Sequence, residues 1–235
     1  MIENKISRFI SSEVELEYLL TGEDNNEVIM FVHGAGMNLR QYLVQHEYFS
    51  KEFNVLSVSL RGHGKSSTPL NNKSEQFRLE KHRDDLLELL SYLNIQQVHY
   101  VGNSAAGIIG YEIIKSQPNV IKSLCTFGTT AELKYPSIVA SCIVGINQVM
   151  FKISPELYSK FLARNTSKIR SVQNEVSHQF MLSKDNVCYF QNNLGNYSYV
   201  DVIEKLKIPY LLVQGEWDRD INNNLKTTIQ AIKKN

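Results

Sequence analysis

With 235 residues, 43% of them apolar, the chain is long enough for one packed domain, or one domain with an insertion, and too apolar for wholesale disorder. Lysine and arginine total 25 against 24 aspartates and glutamates, so the net charge points to neither nucleic acid nor an acidic membrane as partner. The three cysteines, Cys125, Cys142 and Cys188, are odd in number and far apart, which predicts reduced thiols in a cytoplasmic protein and no disulfide framework.

The opening residues Met1-Ile2-Glu3-Asn4-Lys5 carry acid early and build no apolar signal region. No run of about 18 apolar residues follows, so neither a secretory leader nor a spanning helix is expected. Glu13-Val14-Glu15-Leu16-Glu17-Tyr18 alternates strictly and predicts a strand with its charges on an open face. Val28 to Val32 is continuously apolar, as strands covered on both faces of a parallel sheet are. The turn His33-Gly34-Ala35-Gly36 follows it directly. Its small residues let backbone N–H groups approach a ligand, although glycine usage in an ordinary βα turn explains it equally. His33 reads as a structural hydrogen bonder and not as a base.

Tyr42, Leu43, His46 and Phe49 share one helical face, and Val55 to Leu60 is the next strand. Ser59-Leu60-Arg61-Gly62-His63-Gly64-Lys65-Ser66 then forms a loop in which Arg61 is expected to anchor a lid through a carboxylate. The end of that loop resembles a phosphate loop but lacks its first glycine, so nucleotide binding is the weaker alternative. Leu86, Leu89, Leu90 and Leu93 form a helical stripe with Asp84, Asp85 and Glu88 opposite.

Val98 to Val101 is a strand, and Val101-Gly102-Asn103-Ser104-Ala105-Ala106-Gly107 carries it into a nearly all-apolar helix that Pro118 ends. A serine on a sharp strand-to-helix turn takes a positive φ and therefore needs small neighbours, which Gly102 and Ala106 supply. The free N–H groups of the following helix favour negative charge there. A merely tight or phosphate-binding turn is the plainer explanation of the same string. Val120 to Phe127 is the next strand. From 131 to 205 the βα rhythm gives way to helical, aromatic-rich sequence, a predicted lid inserted between the core segments 1–130 and 206–235. The strand pattern returns at Tyr210 to Val213, followed by Gly215-Glu216-Trp217-Asp218 and a helix marked by Ile221, Leu225, Ile229 and Ile232. Asp218, or its neighbour Asp220, is placed to orient a histidine.

These alternating elements predict a doubly wound, mainly parallel α/β sheet, whose ligands bind at the carboxyl ends of the strands. Four glycine-bearing motifs lie at such ends. In their order the chain resembles the α/β-hydrolase fold superfamily, lidded serine hydrolase branch, from about Val14 onward. The resemblance implies Ser104 as nucleophile and Asp218 as the acid. It implies the N–H groups of Ala35 and Ala105 as the oxyanion hole and Gly34 as a neighbour of the substrate. Three positions depart from the family pattern. Ala106 replaces a glycine, and Ser59 replaces an aspartate before the Arg-Gly pair. The triad histidine that follows the acid is absent, because seventeen residues follow Asp218 and none is histidine. The edge strand that carries it is expected to be missing too.

Two functions follow. One is a serine hydrolase that cleaves an ester, thioester or amide of a small, apolar substrate through an acyl-enzyme, read as a C-terminally shortened form of such an enzyme; a lid histidine, His178, as substitute base is a lesser variant of it. The other is a non-catalytic binding or regulatory protein on the same fold. The six histidines show no metal-binding spacing, and no cofactor is implied. The expected partner is a small molecule, with no nucleic acid or membrane, and the sequence leaves the oligomeric state open.

Overall fold

A computed structural model describes residues 5–22, 25, 27–71 and 74–234, and the side chains at 137–141, 184, 185, 219 and 220 lie outside that description. The opening residues 1–4 and the side chain of Asp220, the alternative acid, therefore fall outside it. The central sheet has seven strands: β1 Ser7–Ile10, β2 Glu15–Thr21, β3 Val28–Val32, β4 Asn54–Val58, β5 Val98–Asn103, β6 Ile121–Phe127 and β9 Tyr210–Val213. Their spatial order is β1-β2-β4-β3-β5-β6-β9. The first two strands pair antiparallel and the other five are parallel. The short strand β1 was not anticipated, since Ser-Arg-Phe-Ile lies at the rim and carries little pattern. Every residue of β3 is buried, as its unbroken apolar run requires of a strand sandwiched between helices.

Helices α1 Leu43–Phe49, α2 Leu79–Tyr92, α3 Ala105–Ser116, α7 Val200–Glu204 and α8 Arg219–Lys233 flank the sheet. The main core gathers Met30, Leu56, Leu86, Tyr100, Ile109 and Leu124 between the sheet and α2, α3 and α7. A smaller cluster, Ile29, Phe31, Tyr42 and Val55, packs on the opposite face under α1. Between β6 and α7 stand three helices, α4 Ser137–Ile153, α5 Pro155–Thr166 and α6 Arg170–Gln191. They are bracketed by a two-stranded antiparallel pair, β7 Glu132–Lys134 and β8 Asn196–Ser198. Tyr199, Ile203 and Leu206 already belong to the main core. At the sheet margin, Leu211 and Val213 of β9 are exposed.

Two expectations from the sequence need correction. Glu17 is not on an open face but is buried, and its Oε1 accepts from Ser59 Oγ at 2.7 Å, Lys65 N at 2.8 Å and Arg40 Nη1 at 3.0 Å. Ser59, where the family pattern has aspartate, thus serves Glu17 and also accepts from Leu39 N. Asp85 is likewise buried rather than opposite the leucine stripe. It lies at the border of that stripe, one position before Leu86.

Candidate active site

Strand β5 leads directly into Ser104, whose φ of 51° and ψ of −118° lie in a region that a non-glycine residue adopts only under strain. The surroundings hold it there. Ser104 N donates to Phe127 O at 2.8 Å, and Ser104 O accepts from Gly107 N at 2.9 Å and Thr129 Oγ1 at 2.8 Å. The turn closes because Gly102 has no side chain: a Cβ there would stand 2.7 Å from Gly107 N. With its backbone fixed, Ser104 is exposed at the N-terminus of α3.

The turn after β3 comes against this elbow. A Cβ on Gly34 would lie 3.1 Å from Ser104 Cβ and 3.0 Å from Asn103 Oδ1, an approach that leaves little room for a side chain there. Ala35 is the next residue, and Ala105 opens α3. Among the described residues neither of these N–H groups has an intramolecular acceptor. The geometry therefore offers two amide donors beside one exposed hydroxyl.

His33 is spent on holding this turn. Its Nδ1–H donates to Gly34 O at 2.7 Å, and its Nε2 accepts from Leu60 N at 2.9 Å, which fixes the tautomer. Burial, assisted by nearby His63, lowers its pKa to about 3, so it stays neutral. Burial lowers His63 to about 4, and its Nδ1–H donates to Arg61 O. His82 lies against the Phe190 ring with centroids 4.1 Å apart, and burial holds it well below the ordinary histidine range. His46 is bracketed by Thr21 Oγ1 and Ser57 Oγ, both at 2.8 Å. His99 bonds Ser123 Oγ near the start of β5, and His178 is exposed on α6. Among the described residues no histidine hydrogen-bonds Ser104 Oγ.

Asp218 caps α8, its Oδ1 accepting from Ile221 N at 3.3 Å. Its Oδ2 points toward the end of β6, 3.6 Å from where a Cβ on Gly128 would stand, and Asn103 Nδ2 is 3.8 Å from the same point. The acid and the residue before Ser104 thus face one glycine. Arg61, by contrast, does not reach the three inserted helices. It is 1% exposed and grips Asp85 of α2 through Nε at 2.7 Å and Nη2 at 2.8 Å, with Glu13 and Gln76 O completing its shell. It ties the loop to the core instead of anchoring a lid.

The helices α4 to α6 meet the site from above. Phe180 of α6 packs on Gly36, so closely that a Cβ there would stand 2.1 Å from its ring. Gln179 Oε1 accepts from Asn38 N at 3.0 Å, and Asn186 Nδ2 donates to Gly62 O at 2.8 Å. Ala35 and Met37 pack into the apolar cluster of Val144, Phe151, Tyr158 and Phe180. On the other flank, Lys168 Nζ sits 3.2 Å above the ring centre of Trp217, beside Asp218. In the sheet order, β5 and Ser104 lie between these two footholds. Neither foothold was legible in the local sequence, since each joins residues far apart along the chain. Among the described residues no three His, Cys, Asp or Glu side chains converge as metal ligands.

Comparison with known proteins bears on the fold. The (E)-2-((N-methylformamido)methylene)succinate hydrolase of Acinetobacter baylyi is 24% identical over 224 residues, 94% of this chain and 82% of that protein. The 3-oxoadipate enol-lactonase 2 of the same organism is 28% identical over 123 residues, which is 52% of this chain and less than half (45%) of the relative. The crystal structure of a hydrolase from Pseudomonas aeruginosa PA01 superposes with a TM-score of 0.80 at 19% identity, covering 97% of this chain and 85% of that one. The family described as alpha/beta hydrolase fold matches residues 27–182, and the chain belongs to it.

Proposed function

We propose that the chain is a serine hydrolase that cleaves an ester, thioester or amide of a small, apolar substrate. The observation that carries this reading is Ser104 held at positive φ with Gly34 in contact and two uncommitted N–H groups beside it. In the proposed reaction Ser104 Oγ attacks the acyl carbonyl. The N–H groups of Ala35 and Ala105 receive the negative oxygen, the leaving group departs, and water clears the acyl-enzyme. Gly34 leaves room for the substrate beside Ser104. The segment 131–205 serves as a lid, and the apolar cluster against Ala35 and Met37 favours an apolar acyl group. Asp218 has the place of the acid that steadies an imidazolium. The hydrolase names of the relatives support the class of reaction.

Removal of the proton from Ser104 is the step for which the described residues hold no group. That observation favours a second reading, a binding protein that keeps the fold without turnover. A fluorophosphonate probe and a short p-nitrophenyl ester separate the two, with Ser104→Ala as control. The hydrolase reading expects labelling on the peptide that contains Ser104 and turnover that the substitution abolishes. No label, and turnover equal to the control, would leave the binding protein.

A further inference from the structure

The outer side of the inserted helices is apolar where a helix facing water is ordinarily polar. On α4 the residues Ile143, Ile146, Val149 and Ile153 recur at helical spacing and stand out from the protein, Ile146 62% and Ile153 74% exposed. The stripe continues on α5 with Leu157 and Phe161, 68% and 56% exposed. The opposite side of the same helices carries Val144, Phe151 and Tyr158 in the buried cluster. The helical layer is therefore apolar on both sides, and packing within the chain accounts for only one. Exposed apolar surface of this extent marks a place where something docks.

The charges around the stripe identify the occupant. Residues 137–170 hold five cations, Lys152, Lys160, Arg164, Lys168 and Arg170, against Glu156 alone, a net of +4 in a chain whose total is +1. Lys160 pairs with Glu156, and Lys168 rests on Trp217. Lys152, Arg164 and Arg170 have no acidic partner among the described residues. Arg164 follows Phe161 by one helical turn, so cation and ring share a face. An apolar stripe flanked by cations suits the boundary between headgroups and acyl chains of an anionic bilayer. A second copy of the chain fits worse, because a face-to-face pair would set the unpaired cations Lys152, Arg164 and Arg170 against their own copies. At 17 residues α4 is short of a bilayer, and among the described residues no helix is long and apolar enough to cross a membrane. We infer that the outer face of α4 and α5 lies on an anionic phospholipid surface, with the helices parallel to it. The near-balance of charge over the whole sequence conceals this local excess, which is why the sequence pointed away from a membrane.

Sedimentation of the full chain with vesicles tests the inference without reference to hydrolysis. Vesicles of equal parts phosphatidylcholine and phosphatidylglycerol should bind the protein about tenfold or more tightly than phosphatidylcholine alone, and rising salt should weaken that binding. The double substitution Ile146→Asp, Ile153→Asp should abolish sedimentation while the melting temperature holds, since both positions are exposed. Arg164→Glu with Arg170→Glu should remove the preference for the anionic lipid and keeps the test open should the aspartates disturb folding. Equal binding to both vesicle types, or none to either, overturns the inference. So does a dimer in sedimentation equilibrium that Ile146→Asp, Ile153→Asp dissociates, for a second copy would then own the face.

Discussion

At the scale of single residues, Arg61 shows how context sets the worth of a charge. Buried and bonded to both oxygens of Asp85, its guanidinium has exchanged water chiefly for that carboxylate, with Glu13 and Gln76 O taking the rest. Asp85→Ala strands that cation in the interior and should cost about 3–5 kcal/mol. Glu13, the second acid on Arg61, stays in contact with solvent, and Glu13→Gln should change stability by about 1 kcal/mol or less. Urea denaturation of the two variants measures the contrast, and equal effects would refute this account of the pair. Sequence made Ser104 legible because strain at a turn demands small neighbours, and Gly102 and Ala106 flank it openly. It could not expose Asp85, since a carboxylate beside a leucine stripe reads as solvated until the partner 24 positions away is known. The amide donors of Ala35 and Ala105 leave no side-chain signature, and only the family resemblance pointed to them.

At the scale of elements, the parallel strands were readable from short apolar runs, whereas the rim strand β1 and the three-residue pair of β7 and β8 were too brief to hold a pattern. The helical character of the segment that became α4 to α6 was also readable, but its seat was not. The bond from Asn38 to Gln179 joins residues 141 positions apart, and nothing in either local sequence encodes the other. Phe180 fills the space above Gly36, so one aromatic ring couples α6 to the turn that bears Ala35. Phe180→Ala should cost about 3–5 kcal/mol in stability. Amide hydrogen exchange should show faster opening in two separate stretches, residues 34–38 and the second half of α6. Acceleration in α6 alone would mean that the turn stands without it.

At the scale of the whole molecule, the buried histidines set the acid limit of the fold. His33 lies at about 3 and His46 and His63 at about 4, with His82 lower than the ordinary range as well. An unfolded chain holds all four near the usual value of about 6.5. Below that pH the unfolded chain takes up protons that the folded chain refuses, so stability is complete above about 6.5 and drains as pH falls toward about 4. Each group contributes about 1.4 kcal/mol per pH unit within that window. Thermal melts across the window should show a steep fall, and a slope worth less than one proton would contradict the neutral assignment. The resting place of Lys168 on Trp217 has a different consequence. Trp217 is the sole tryptophan in the chain. Its emission therefore comes from one point, the spot where the connection between α5 and α6 touches the loop of Asp218. The protein carries its own optical gauge, in which any motion that lifts those helices away changes the brightness of a single indole.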